Sequence, residues 1–253
     1  MFSKHLFKTY LKTNILGQKI IYKNKTSSTN TDAKEYLYNK NFHGSIFVSD
    51  SQYNGRGRRG SSWESTPDKS LTFSLLLHPE IKLKNIGLIP LVIGIGIVKG
   101  ILISTSISAG LKWPNDIFLN NKKIGGILIE TKQINNYISL VIGIGLNINQ
   151  QINDISENII KKTTSLSIHA SKTFSRELIL ANILDEFEIL FNSNLNSIID
   201  IWESYCIHQN KNVTFHSKEE IHTGTFKGIS ENGYAKIEID NNLKKFPSGM
   251  IIL

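Results

Sequence analysis

The chain has 253 residues, which at roughly 150 per domain allows one large domain with a small appendage. Its 40% hydrophobic content supports a sizeable core and excludes disordered or low-complexity classes. Cys206 is the sole cysteine, so internal disulfides and paired-cysteine zinc or redox motifs drop out, while 29 Lys+Arg against 21 Asp+Glu give a formal +8 suited to anionic ligands.

The first ten residues are broken by Lys4 and Lys8, so no apolar leader core forms, and a cytoplasmic protein is expected. Residues 20–22 read as a short strand. Ser27, Ser28, Thr29 and Asn30 then offer caps for a helix carrying Ala33, Tyr36 and Leu37. A strand is predicted over 45–49, a polar loop over 51–69 and a strong strand over 71–77. Residues 85–104 read as a buried helix. Its most apolar part, 86–98, is shorter than the roughly 18 residues of a membrane span. A strand follows at 111–113, then a hairpin of 117–119 and 122–124 turned by Asn120-Asn121. Two more strands, 127–132 and 137–144, are linked by Asn135-Asn136.

From Ser175 the period becomes helical, with Leu178, Ile179, Ile183, Phe187, Leu190 and Phe191 on one face. A second helix covers 197–205. Five short strands then follow, at 213–215, 224–229, 234–239, 244–246 and 250–252, separated by Gly and Asn turns. The division is an α+β domain over 1–208 and a small β-barrel over 209–253.

Chemistry concentrates in four places. Gln52 to Gly60, with Gly55, Arg56, Gly57, Arg58 and Arg59 followed by Trp63, combines close backbone approach, fixed positive charge and an aromatic face. That pattern suits a phosphate-bearing ligand or, alternatively, a flexible RGG-like nucleic-acid segment. Lys112-Trp113-Pro114-Asn115-Asp116 ends a strand. Lys112 could neutralise phosphate there and Asp116 could hold Mg²⁺, although a turn with a surface ion pair explains the same residues. Lys123-Ile124-Gly125-Gly126 and Gly143-Ile144-Gly145-Leu146-Asn147 leave room either for a ligand on a sheet or for tight strand packing.

The set and order of these motifs, together with Ser28-Thr29-Asn30, resemble the biotin protein ligases over about residues 20–205. The resemblance implies an α+β fold: a mixed or antiparallel sheet with helices on one face, akin to class II synthetases, plus an SH3-like C-terminal barrel. It implies activation of biotin by ATP with Mg²⁺, then transfer to a lysine of a biotin carboxyl carrier protein. With about 25 residues before Ser27, the chain resembles the form lacking a DNA-binding domain, so neither DNA nor a membrane is an expected partner. A monomer and a homodimer are both open.

By the same resemblance, Ser28, Thr29, Gln52, Gly55, Arg56 and Gly126 would line the biotin site. Arg58 and Lys123 would meet the biotin carboxylate and the adenylate phosphate. Lys112 and Asp116 would flank the phosphates, Asp116 as the metal ligand and a candidate acceptor of the carrier lysine's proton. Arg56, Arg58, Arg59, Trp63, Lys112, Asn115 and Asn147 would serve the nucleotide. Mutual repulsion of three unneutralised arginines would leave the empty loop mobile.

The rival within the same superfamily is a lipoate–protein ligase or octanoyltransferase, which lacks the Gly-Arg-Gly-Arg-x-Gly-x-x-Trp loop. Its transferases need a Cys or Lys nucleophile, for which Cys206 is poorly placed. A non-enzymatic nucleic-acid binder would account for the charge but leave Lys112 to Asp116 unexplained. The intact Arg56, Arg58, Lys112, Asp116 and Lys123 argue against a degenerate ligase kept only for binding.

Overall fold

The computed structural model describes residues 1–78, 83–134, 137–193, 197–217 and 220–252. The Asn135-Asn136 link lies outside them.

Seven strands make the main sheet: β1 (Ile20–Thr26), β2 (Ile46–Gln52), β3 (Ser70–Leu77), β4 (Gly110–Lys112), β5 (Asp116–Leu119), β6 (Lys122–Ile134) and β7 (Tyr137–Asn147). Their order is β1-β2-β3-β7-β6-β5-β4. The β1–β2 pair is parallel and the remaining pairs are antiparallel, so the sheet is mixed.

Alternation in β3 sorts the two faces. Leu71, Phe73 and Leu75 enter the main core, while Ser70, Thr72 and Ser74 point the other way. Directly opposed residues share a face, so Thr72, Gly145 and Gly126 form one row and Ser74, Gly143 and Leu128 the next. Continuing the first row, Asp116 opposes Gly126 and Lys112 opposes Asp116.

The core face is covered by helices. The helices are α1 (Lys4–Tyr10), α2 (Thr29–Lys34), α3 (Ile89–Thr105), α4 (Leu166–Ala170), α5 (Arg176–Phe191) and α6 (Ile198–Ser204). α3 is buried along most of its length and packs on α5. Residues Ile86–Thr105 have the length and hydropathy of a membrane span, yet 67% of that apolar window is buried within this fold, as in a core helix. Gly96 and Gly100 permit the approach: a Cβ on Gly100 would stand 2.7 Å from the Ile183 nitrogen. α2 alone crosses the opposite face, where Ala33 packs with Phe47, Leu76 and Val141.

Several boundaries differ from expectation. The long helix begins at Ile89, because Leu83–Leu88 winds as a tighter 3₁₀ segment before Pro90. The segments 122–124 and 127–132 merge into the single strand β6, with Gly125 and Gly126 inside the ladder. The Asn120-Asn121 turn is present with both residues at positive φ, 47° and 60°. α1 and α4 are additional, too short for a readable period.

The C-terminal unit holds β8 (Asn212–His216), β9 (Ile221–Ile229), β10 (Ala235–Ile239), β11 (Asn242–Phe246) and β12 (Met250–Ile252). They form an antiparallel sheet in the order β11-β10-β9-β8-β12. Phe215 of β8 meets Phe246 of β11 with ring centroids 4.5 Å apart, so the sheet curls on itself. It is docked through specific bonds. Trp113 Nε1 donates to the Gly233 carbonyl at 3.1 Å, and the Ile229 N–H donates to Glu203 Oε1 at 2.7 Å.

Candidate active site

Small and polar residues on the open face of the sheet leave a cavity of about 350 Å³. Its floor is the row Thr72, Gly145, Gly126, and the charges of Asp116 and Lys112 stand at the end of that row. Lys123 joins them through an irregularity. Ile117 pairs with Gly125 but Phe118 pairs with Lys123, so one residue is skipped. The skip reverses the alternation and brings Lys123 onto the cavity face. Its backbone is clamped on the outer side: its N–H donates to the Lys162 carbonyl at 2.8 Å, and its carbonyl accepts from Thr164 at 3.0 Å.

One end of the cavity is uncharged. Gln52 Oε1 accepts from the Thr29 N–H at 2.7 Å and from Thr29 Oγ1 at 3.1 Å. Ser28 and Asn30 complete that wall. Asn30 fits because Gly143 has no side chain; a Cβ there would lie 2.3 Å from Asn30 Oδ1.

The other end is cationic. Among the described residues, Arg58, Arg59, Lys112 and Lys123 line this end against one carboxylate, Asp116, while Arg56, which also lines the cavity, bonds toward the Asn30 wall. Lys123 Nζ is 2.6 Å from Asp116 Oδ1. Arg58 Nη1 donates to Asn115 Oδ1 at 2.9 Å, and Asn115 Nδ2 donates onward to the Ile127 carbonyl at 2.8 Å. Burial, with Lys123 and Lys162 nearby, pulls the Lys112 ammonium below the usual lysine range despite Asp116. Burial and Arg59 likewise pull Arg58 down, though a guanidinium keeps its charge.

The loop between β2 and β3 folds over this end. Trp63 N–H donates to the Gly55 carbonyl at 2.9 Å, and Gly57 N–H to the Ser61 carbonyl at 2.7 Å. The Trp63 ring packs against Gly145, where a Cβ would stand 2.3 Å from the ring. Trp63 Nε1 and Thr72 Oγ1 are buried beside the cavity without hydrogen-bond partners. Unpaired polar atoms in such a wall are groups for a ligand to satisfy.

The cavity thus gathers Ser28, Thr29, Gln52, Arg56, Arg58, Arg59, Trp63, Lys112, Asn115, Asp116, Lys123 and Gly126 from four separate stretches of sequence. Two expected members stand outside its lining. Asn147 is turned into the protein, its Nδ2 donating to the Thr164 carbonyl at 3.1 Å and its Oδ1 accepting from Gln150 at 2.9 Å at the end of β7. Gly55 lies beneath the loop, where a Cβ would stand 2.4 Å from the Trp63 carbonyl. The expected repulsion among arginines is also relieved, because Arg56 and Arg58 diverge to Glu130 and Asn115.

Sequence reading missed several contributors. Asn30 was visible in its motif without a role, and Thr72 owes its place to register with Gly145. Gly249 and Met250 reach the cavity from the C-terminal unit, which no local pattern signals.

Residues 22–147 match the biotin/lipoate A/B protein ligase family, and residues 208–253 match the biotin protein ligase C-terminal domain. A bifunctional ligase/repressor BirA of Bacillus subtilis is 34% identical over 248 residues, 96% of this chain and 76% of that protein. Among solved structures, a biotin protein ligase from Aquifex aeolicus in complex with biotin and ATP is 30% identical. It superposes with a TM-score of 0.82 over 93% of this chain and 98% of that one. A biotin acetyl coenzyme A carboxylase synthetase from Helicobacter pylori with bound biotinylated ATP reaches 0.63 at 25% identity, over 90% and 99% of the two chains. Motifs, cavity and both domains therefore lead to one conclusion: this chain belongs to the biotin protein ligase family.

Proposed function

We propose that the cavity performs a two-step transfer, activating biotin with ATP and passing it to a lysine of a carrier protein. In the first step a biotin carboxylate oxygen bonds to the α-phosphorus of ATP and the bond to pyrophosphate breaks. In the second the lysine amine bonds to the acyl carbon, AMP leaves and the amine gives up a proton. The observation that carries this reading is the convergence of Arg58, Lys112 and Lys123 on one cavity whose other end is uncharged and hydrogen-bonding. Bringing a carboxylate to a triphosphate is a problem of like charge and alignment, which fixed cations solve without a protein nucleophile.

Ser28, Thr29 and Gln52 are placed to hold the uncharged ring system of biotin, and the unpaired Trp63 Nε1 and Thr72 Oγ1 to bond ligand. Arg58 and Lys123 would meet the carboxylate and α-phosphate, with Lys112 beside the departing phosphates. The same cations act on the second substrate. An incoming lysine is almost wholly protonated at neutral pH, and surrounding positive charge lowers its pKa toward the reactive amine.

The donor set fits Mg²⁺ arriving with the nucleotide. Among the described residues no cluster of three acidic, His or Cys groups could cage an ion, and Asp116 is the one carboxylate in the lining. A Mg²⁺ ion commonly takes one or two protein carboxylates plus substrate phosphates, so Asp116 would hold it. Bound there, the ion would neutralise phosphate charge.

A relative from Mycobacterium tuberculosis is named a biotin–[acetyl-CoA-carboxylase] ligase, and the proposed acceptor here is the corresponding carrier domain. A free, half-buried Cys206 suits the reducing cytoplasm. Incubation with ATP, Mg²⁺, biotin and a biotin carrier domain, read by intact mass, is expected to add one biotinyl group to the carrier. An unchanged carrier in the presence of folded enzyme overturns the reading, and so does equal transfer of lipoate.

A further inference from the structure

Glu130 lies outside every motif that carries the family resemblance. It stands on β6 opposite Val141, on the face that holds the cavity and α2. Its half-buried carboxylate is fully engaged. Oε1 accepts from Lys34 Nζ at 2.6 Å, while Oε2 accepts from Asn30 Nδ2 at 2.9 Å and from Arg56 Nη2 at 3.4 Å. A single oxygen therefore ties a side chain in the uncharged wall to an arginine of the overlying loop.

The tie has a defined geometry at both ends. Asn30 cannot turn, because only its Nδ2 can face the acceptor-only carboxylate, which leaves its Oδ1 to accept from Ser74 Oγ at 2.6 Å. Arg56 is steadied further by Thr31 Oγ1 at 3.3 Å. Burial raises the Glu130 pKa, but the bonds from Lys34 and Asn30 and the charges of Lys34 and Arg56 lower it more, leaving it below the usual carboxylate range. Glu130 is an anion at neutral pH. With Arg58 held by Asn115, the loop is anchored at two separate points on the cavity rim.

We propose that Glu130 is a positioning residue for this reaction: it holds Arg56 over the cavity and fixes Asn30 in its wall, so that the loop retains biotin and its adenylate. The proposal rests on the biotin-ligase reading. It gives an exposed-looking carboxylate a task in substrate retention without contact to the reacting atoms.

Glu130→Gln keeps the size of the side chain and removes the charge that holds Lys34 and Arg56. The expected result is a rise of about two- to fivefold in KM for biotin with kcat changed less than twofold, an amount in line with losing a partly exposed charged contact. Adenylate that escapes the loosened loop should label lysines of a bystander protein mixed with the carrier. Glu130→Asp, which withdraws the oxygens by one methylene, should give an intermediate KM and serves in place of the first variant if that one fails to fold. A structural role alone would lower the thermal midpoint and the active fraction while leaving KM and labelling specificity unchanged. Wild-type KM and carrier-only labelling in a folded variant, beside a wild-type enzyme that biotinylates the carrier, overturn the proposal and leave the reading intact. A wild-type enzyme that transfers no biotin overturns both.

Discussion

His208 is fully buried between the Trp202 and Phe226 rings, with centroids 6.1 and 4.3 Å away, and Nε2 has no hydrogen-bond partner. Burial, then the charges of Lys112 and Lys211, pushes its pKa down to about 3. Because the folded value lies below the unfolded one, the unfolded chain takes up a proton that the fold refuses. Stability is then complete above about pH 6.5 and falls as pH drops toward 3, at up to about 1.4 kcal/mol per unit. Urea midpoints should decline between pH 6.5 and 5, before ordinary carboxylates begin to titrate, and His208→Phe should flatten that decline. An equal decline in the variant would assign it to other groups. At this scale the sequence was legible where chemistry is concentrated. Arg58, Lys112 and Asp116 sit in motifs whose glycines and proline announce a strand end and a close approach. Glu130 was not legible, since a lone acid closing the run Ile127-Leu128-Ile129 looks like ordinary surface. Its meaning comes from Asn30, Lys34 and Arg56, distant in sequence and brought to it by packing.

α3 shows what periodicity leaves out. The apolar run was sufficient to read a buried helix, but it gave Gly96 and Gly100 no task. Their task appears only when α5 is in place: Phe187 fills the space over Gly96 and the Ile183 backbone the space over Gly100. Gly100→Ala should therefore destabilise the protein by about 1–3 kcal/mol through overpacking, outweighing roughly 1 kcal/mol gained in helix propensity. Chemical denaturation measures the difference. Ile103→Ala, on the exposed side of the same helix, should change stability by under about 0.5 kcal/mol. A stabilised Gly100→Ala would mean that the two helices can separate at little cost. The strands were easier to read, because alternating Ser, Thr and apolar residues in β3 name both faces. Register was harder, since nothing local says that Thr72 will face Gly145.

The two domains share one residue of the central motif. Trp113 lies between Lys112 and Pro114 in the cavity lining, and its indole bonds Gly233 and packs near Phe215 at 6.0 Å. The C-terminal unit in turn sends Gly249 and Met250 to the cavity rim. Docking and chemistry are thus mechanically joined. Trp113→Phe preserves the ring but leaves the buried Gly233 carbonyl unpaired, at a cost of about 1–3 kcal/mol. Both the thermal midpoint and the rate of adenylate formation should fall. A lower midpoint with an unchanged rate would show that the units dock independently of catalysis. Composition divided the chain near residue 208 but gave no hint of this joint, because both partners are aromatic or glycine residues with good local reasons to be where they are.

The skipped residue in the β5–β6 pairing has one more effect. Lys123 faces Asp116 because the ladder skips Ile124 between Gly125 and Lys123. A regular ladder over the same residues would pair Phe118 with Ile124 and rotate the Lys123 ammonium toward the helical layer. The pairing register of this hairpin is therefore as much a part of the site as any of its charges, since a slip of one residue would withdraw the ammonium without altering one side chain.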